Sequence, residues 1–143
     1  MTSLNYEIEL IGVSNRDDLR TAAATTLTSL GIGDCHVAIE LVDGARIHQL
    51  NREHRGVDSP TDVLSFPIDE IDPGEQLPTE RDEQSEQPPR ELGDVVICPE
   101  YTTDLTEADV HGVLHLCGFD HETDDGEMLA LQDQIVDQLA DSA

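Results

Sequence analysis

The sequence predicts an α+β domain, a small mixed four-stranded sheet packed with helices, spanning residues 1–143 as one unit. Two patterns carry this expectation. Two short stretches alternate apolar and polar residues, two further short apolar stretches also read as strands, and the segments around them repeat apolar residues at helical spacing. Length agrees, because 143 residues are enough for one core and too few for two comfortable domains.

Tyr6, Ile8 and Leu10 alternate with polar residues and read as the first strand. Ser14 precedes a helix carrying Leu19, Ala23, Thr26, Leu27 and Leu30, closed by Gly31. Val37, Ile39 and Leu41 form a second alternating strand. Asp43 is placed to cap a helix with Ile47, Leu50 and Asn51 on its inner side, which ends near Gly56. A turn through Asp58, Ser59 and Pro60 leads into a third strand, Val63 to Phe66, and Gly93 to Cys98 is the fourth. Between them, residues 69–91 are rich in Glu, Gln, Pro and Asp and bury too little to offset their ordering entropy, so a mobile loop is expected, with Arg81 and Arg90 as surface charges in it. Thr106 and Asp109 are spaced like a capping box opening the next helix. Thr123 or Asp124 starts the last helix, whose stripe of Met128, Leu131, Ile135 and Leu139 is expected to pack on the core. The predicted order is β-α-β-α-β-β-α-α.

The chemistry concentrates between positions 111 and 121. His111 and His115 are four residues apart, on one face of a helix and about one turn from each other. Gly118 lets the chain leave the helix through a left-handed conformation, which brings His121 back toward the pair. Three imidazoles meeting at one point with a fourth position open describe a catalytic zinc site rather than a closed structural one. Cys117 lies between the second and third histidines, but two positions after His115 on a helix it points to another face, where packing is expected. Nickel, or copper by raw affinity, fits three imidazoles as well. The frame is shared with metzincin proteases, which carry Glu directly after the first histidine as general base. Gly112 stands there and has no side chain to take a proton, which disfavours a peptidase.

The run from His111 to His121 resembles the signature HGxLHLxGxDH of the YbeY family of bacterial metal-dependent endoribonucleases. Two further blocks agree with it in the same order, Asn51 to Gly56 running on to Pro60–Pro67, and Leu92 to Cys98, so that the resemblance extends from about Ile39 to Leu139. It implies an α+β fold and a single-strand endoribonuclease with zinc on His111, His115 and His121. It also implies a part in 16S rRNA 3′-end maturation and ribosome quality control. Ribosomal RNA, a small-subunit ribosomal protein and an assembly GTPase are the partners it implies. Arg55 aligns with the arginine the family uses in catalysis, and a guanidinium suits the charge that builds on phosphorus. Without the resemblance, Arg55 reads as a helix-end charge favouring the dipole. With it, Arg55 and His111 are the candidate catalytic residues. Asp120 is a candidate to orient a ligand histidine, to act as a base or to brace the turn. Asp62 and Ser65 are expected near the cleft by strand alternation. Asp94 reads as structural, and His36, His48 and His54 as ordinary surface or partly buried histidines. Residues 69–91 have an RNA or partner gate as their functional alternative. One departure from the family pattern is the stretch from Pro99 to Val110, shorter than relatives usually have.

Charge is the other departure. The chain has 32 Asp and Glu against seven Arg and no Lys, a formal net charge of −25. That is the wrong sign for nucleic-acid affinity, which rests on cations meeting phosphates. Two explanations are open: a very saline working environment, where an acidic surface aids solubility, or substrate delivered by a partner such as the ribosome. The three cysteines lack CxxC spacing and read as reduced thiols. With no membrane-length apolar run and no basic-apolar leader, a cytoplasmic protein without membrane contact is expected. A non-catalytic ribosome-assembly factor stabilised by metal, and a zinc hydrolase of another substrate, are the competing functions.

Overall fold

The computed structural model describes residues 6–12, 16–32, 35–68, 90–119 and 126–141. Its elements are β1 (Tyr6–Ile11), α1 (Asp17–Ser29), β2 (Cys35–Leu41), α2 (Gly44–Arg55), β3 (Val63–Pro67), β4 (Arg90–Ile97), α3 (Leu105–Leu116) and α4 (Glu127–Asp141), with a 3-10 turn at Pro99–Tyr101. The α+β order expected from the sequence is the observed one. The sheet runs β1-β2-β4-β3, parallel across β1, β2 and β4, with β3 antiparallel to β4 at one edge.

Both faces of the sheet are covered, as a parallel core requires. On one face Val37, Ile39, Leu92, Val95 and Ile97 meet Ala23 and Leu27 of α1 and Val113 and Leu116 of α3. On the other, Leu64, Val96 and Cys98 meet Ile47 and Leu50 of α2. The α4 stripe closes a further layer, Met128 and Ile135 packing against Ala22, Val110 and Leu114. Each such Leu, Ile or Met contributes about 1.5–3 kcal/mol when fully buried.

Two expectations need correction. Arg90 and Glu91 are not loop residues; they belong to β4, where Arg90 pairs with Cys35 and Glu91 with His36. The register then shifts between His36 and Val37, passing over Leu92 to reach Gly93. Gly93 takes φ 139°, and a Cβ there would stand 2.2 Å from the Phe66 carbonyl oxygen, so the bulge admits only glycine. The charged residues ahead of this bulge read as loop in sequence. The remainder of the expected loop, residues 69–89 with Arg81, lies outside the described residues. The second correction is the start of α3. Its cap is Asp104, whose side chain accepts from the Thr106 and Glu107 amides at 3.0 and 3.2 Å. Thr106 is already inside the helix, and Asp109 is fully buried rather than reaching back to a cap.

Other local signals hold. Asp43 caps α2 by accepting from the Arg46 amide at 2.8 Å, and Gly56 ends that helix. Ser14, Thr123 and Asp124 lie outside the described residues. Gly31 follows α1 as expected, and Arg16 precedes it, gripping Asp18 through two bonds of 2.9 and 2.8 Å that hold the Asp18 carboxyl below its ordinary range.

Candidate functional site

Helix α3 lies with nearly its whole circumference covered. From Ala108 to Cys117 every residue is buried except His111 and His115, which are half-buried on the one open side. Their four-residue spacing stacks them, with ring centroids 4.6 Å apart and planes inclined by 76°. The two Nε2 atoms face each other at 3.1 Å.

The outer nitrogens decide what those Nε2 atoms are. His115 Nδ1 lies 2.9 Å from the Phe119 carbonyl oxygen, an acceptor, so Nδ1 carries the proton. That carbonyl is reached because the chain turns back after α3 through Gly118 at φ 94°. His111 Nδ1 lies 2.8 Å from Oε1 of Gln132 on α4, again an acceptor. With both Nδ1 atoms donating, the Nε2 atoms of the two neutral rings present lone pairs toward one point. Two such lone pairs repel unless a cation lies between them. A tetrahedral zinc with bonds near 2.0–2.1 Å sets its ligand nitrogens about 3.4 Å apart, so the pair fits such an ion in donor type and spacing. Among the described residues no group of three His, Cys, Asp or Glu converges. His121 and Asp120 lie outside the described residues.

The pair forms one wall of a cleft of about 410 Å³ that also takes in Arg55, Thr61, Asp62 and Ser65. Because β3 is an edge strand, the cleft crosses the open side of the sheet, with α3 on one flank and the end of α2 on the other. Arg55 is the last residue of α2, exposed. Asn51, one turn earlier, donates to the Ser59 carbonyl at 2.8 Å and fixes the turn that carries the chain from α2 to β3. Thus five of the residues singled out in the sequence, Arg55, Asp62, Ser65, His111 and His115, share one cleft.

Two of the five are committed to the framework. Ser65 Oγ donates to the Gly112 carbonyl at 2.9 Å and ties β3 to α3. Asp62 Oδ1 accepts from the Val63 amide at 2.9 Å and from Thr61 at 3.2 Å, bracing the start of β3. A second hollow of about 490 Å³ shares Asp62 and His111 with the cleft and extends past Glu107 and Gln132. Gln132 and Glu107 were not singled out in the sequence, although Gln132 interrupts the α4 stripe between Met128 and Ile135, four and three residues away.

The remaining candidates lie apart. His36 pairs with Glu91 at 2.6 Å and His48 with Asp58 at 2.7 Å, while His54 sets its ring edge-on to Phe66. Asp94 sits within β4. Cys117 is buried in the core, where burial and then neighbouring Cys35 push its thiol up to about 12; Cys35 and Cys98 are buried thiols as well.

A family model described as Endoribonuclease YbeY matches residues 7–140. A protein of that description from Brevibacillus brevis is 36% identical over 95% of this chain and 94% of its own length. One from Persephonella marina is 36% identical over 85% of this chain and 81% of its own. The solution structure of a Thermotoga maritima protein, 29% identical, superposes with a TM-score of 0.52 over 92% of this chain and 88% of that one.

Proposed function

The chain belongs to the YbeY family of endoribonucleases, and from that premise we propose that it is a zinc-dependent, single-strand-directed endoribonuclease of 16S rRNA 3′-end maturation and ribosome quality control. The observation that carries the reading is the pair of Nε2 lone pairs turned to one point on the wall of a cleft that Arg55 also lines.

His111, His115 and His121 would hold the ion, which supplies Lewis acidity toward a phosphate oxygen when bound. The protein's own contribution is positional and electrostatic. Arg55 reaches the cleft from the flank opposite the histidines, so a phosphodiester lying across the edge strand is gripped from both sides. Its guanidinium stays protonated, matches two phosphate oxygens and opposes the charge that grows as the bond to phosphorus forms. The Ser65–Gly112 bond ties the edge strand to the histidine helix, and the Asp62 carboxylate braces the start of that strand through the Val63 amide.

Electrostatics favour this flank for RNA. Three of the seven arginines, Arg46, Arg52 and Arg55, lie exposed on α2 in a chain of net charge −25. The acidic remainder repels phosphate, so a strand is steered toward α2, where three of the described cations gather. Asp120 would orient a ligand histidine. No described helix is long and apolar enough to cross a membrane, and the reading places the protein in the cytoplasm with ribosomal RNA, a small-subunit ribosomal protein and an assembly GTPase as partners. Nickel or copper can occupy the same donors in a purified sample.

Arg55→Ala tests the reading. Cleavage of single-stranded RNA falls by 100-fold or more, on the order of one lost transition-state donor, with zinc content and unfolding midpoint unchanged. Undiminished cleavage removes Arg55 from the chemistry. A folded, zinc-loaded wild type that cuts no RNA favours a non-catalytic assembly factor.

A further inference from the structure

We propose that Gln132 is a positioning residue, set by Glu107, that fixes His111 in the one tautomer able to offer Nε2 to a metal ion. The inference rests on the metal reading of the histidine pair.

Gln132 lies on α4 between Met128 and Ile135, is 5% exposed, and faces α3 rather than solvent. A buried amide is unfavourable unless both of its ends are bonded, and a Leu there would serve packing alone. Both ends are bonded, and each partner matters. Nε2 donates to the Glu107 carboxylate at 3.3 Å, and Oε1 faces His111 Nδ1 at 2.8 Å. A carboxylate only accepts, so the amide nitrogen must point to Glu107 and the oxygen to His111. The flip of the amide is therefore decided by Glu107. An acceptor facing Nδ1 in turn requires the proton on Nδ1, which in the neutral imidazole leaves Nε2 with its lone pair toward His115.

The chain Glu107–Gln132–His111 thus links α3 to α4 and back to α3. Residue type at 132 is constrained by it. A carboxylate at 132 would serve His111 as an acceptor but would confront Glu107 with a like charge, whereas an amide satisfies both. His115 gains its tautomer from the Phe119 main chain, whereas His111 takes its own from a side chain. Partners of this kind typically change metal affinity by about 10–100-fold when removed.

Zinc affinity of the full chain, measured by competition with a chromophoric chelator, tests this without reference to RNA. Gln132→Met keeps the apolar contacts and removes the acceptor; it weakens zinc about 10–100-fold. Glu107→Ala, on the exposed start of α3, weakens zinc less but in the same direction. Glu107→Gln combined with Gln132→Glu reverses the donor and acceptor between the two positions and restores affinity to within a few-fold of wild type. Long-range proton–nitrogen spectra of the metal-free protein add a readout that packing alone does not move: His111 carries its proton on Nδ1 in wild type and in the double variant, and populates both tautomers in Gln132→Met. Zinc affinity and tautomer unchanged in folded Gln132→Met, or a double variant as weak as Gln132→Met, overturn the relay. A wild type that binds no zinc overturns instead the metal reading on which it rests.

Discussion

Gly112 lies so close to Val95 that a Cβ on it would stand 2.4 Å from a Val95 methyl carbon. Helix α3 therefore rests directly on β4, with its backbone rather than a side chain at the contact. The same closeness sets the height of His111 and His115 above the sheet and brings the Gly112 carbonyl within reach of Ser65. It also gives the missing protease base a physical reason. Position 112 faces the sheet, so a glutamate there would lift the helix before it could reach the cleft.

Gly112→Ala is accordingly destabilising by about 1–3 kcal/mol, the range for overpacking a tight core. Denaturant midpoints check this, and pairing it with Val95→Ala, which removes the clashing methyls, recovers part of the loss relative to Val95→Ala alone. Equal stability of Gly112→Ala and wild type would mean that the helix is not seated as described.

Asp109 is fully buried, and neither carboxylate oxygen has a hydrogen-bond partner among the described residues. Burial first, and then the charge of Asp18, raise its carboxyl well above the ordinary range. The folded chain thus holds this proton to higher pH than the unfolded chain does, and stability falls as pH rises from the ordinary carboxylate range upward. Asp109→Asn has no charge to bury. Its stability relative to wild type rises from about pH 4 toward neutrality, read as a widening gap in urea midpoints. A gap that stays constant over that range contradicts this account.

The 32 acidic residues against seven arginines make self-repulsion large in dilute buffer, where its range is about 30 Å at 0.01 M salt, and small at 1 M, where it is about 3 Å. Thermal unfolding in KCl between these limits shows a midpoint rising with salt if the surface is adapted to a saline interior. An unchanged midpoint favours delivery of substrate by a partner instead.

What could be read from sequence and what could not divide along the range of the interactions. Asp43 and Gly56 bound α2, and the alternation of Val37, Ile39 and Leu41 marks β2, because each signal lies within a few residues of its effect. The i, i+4 spacing alone stacks His111 and His115. Arg90 and Glu91 look like loop because their strand character comes from pairing with Cys35 and His36, more than fifty residues away. Asp104 caps α3 ahead of Thr106, because its carboxylate accepts from the Thr106 and Glu107 amides. Gln132 reads as a lapse in an apolar stripe until α4 is laid against α3, twenty-one residues from the histidine it serves. Alternation puts Ser65 near the cleft, and only the structure turns its hydroxyl onto the Gly112 carbonyl.

The central claim is that the His111–His115 pair supports metal-dependent cleavage of RNA. The direct test is cleavage of a single-stranded RNA containing a 16S 3′-end precursor, in molar KCl, by enzyme as purified, stripped with chelator, and restored with zinc, beside His115→Ala. The account predicts cutting that vanishes on stripping, returns with zinc and is absent in the variant. Cutting that survives both chelation and His115→Ala would contradict it.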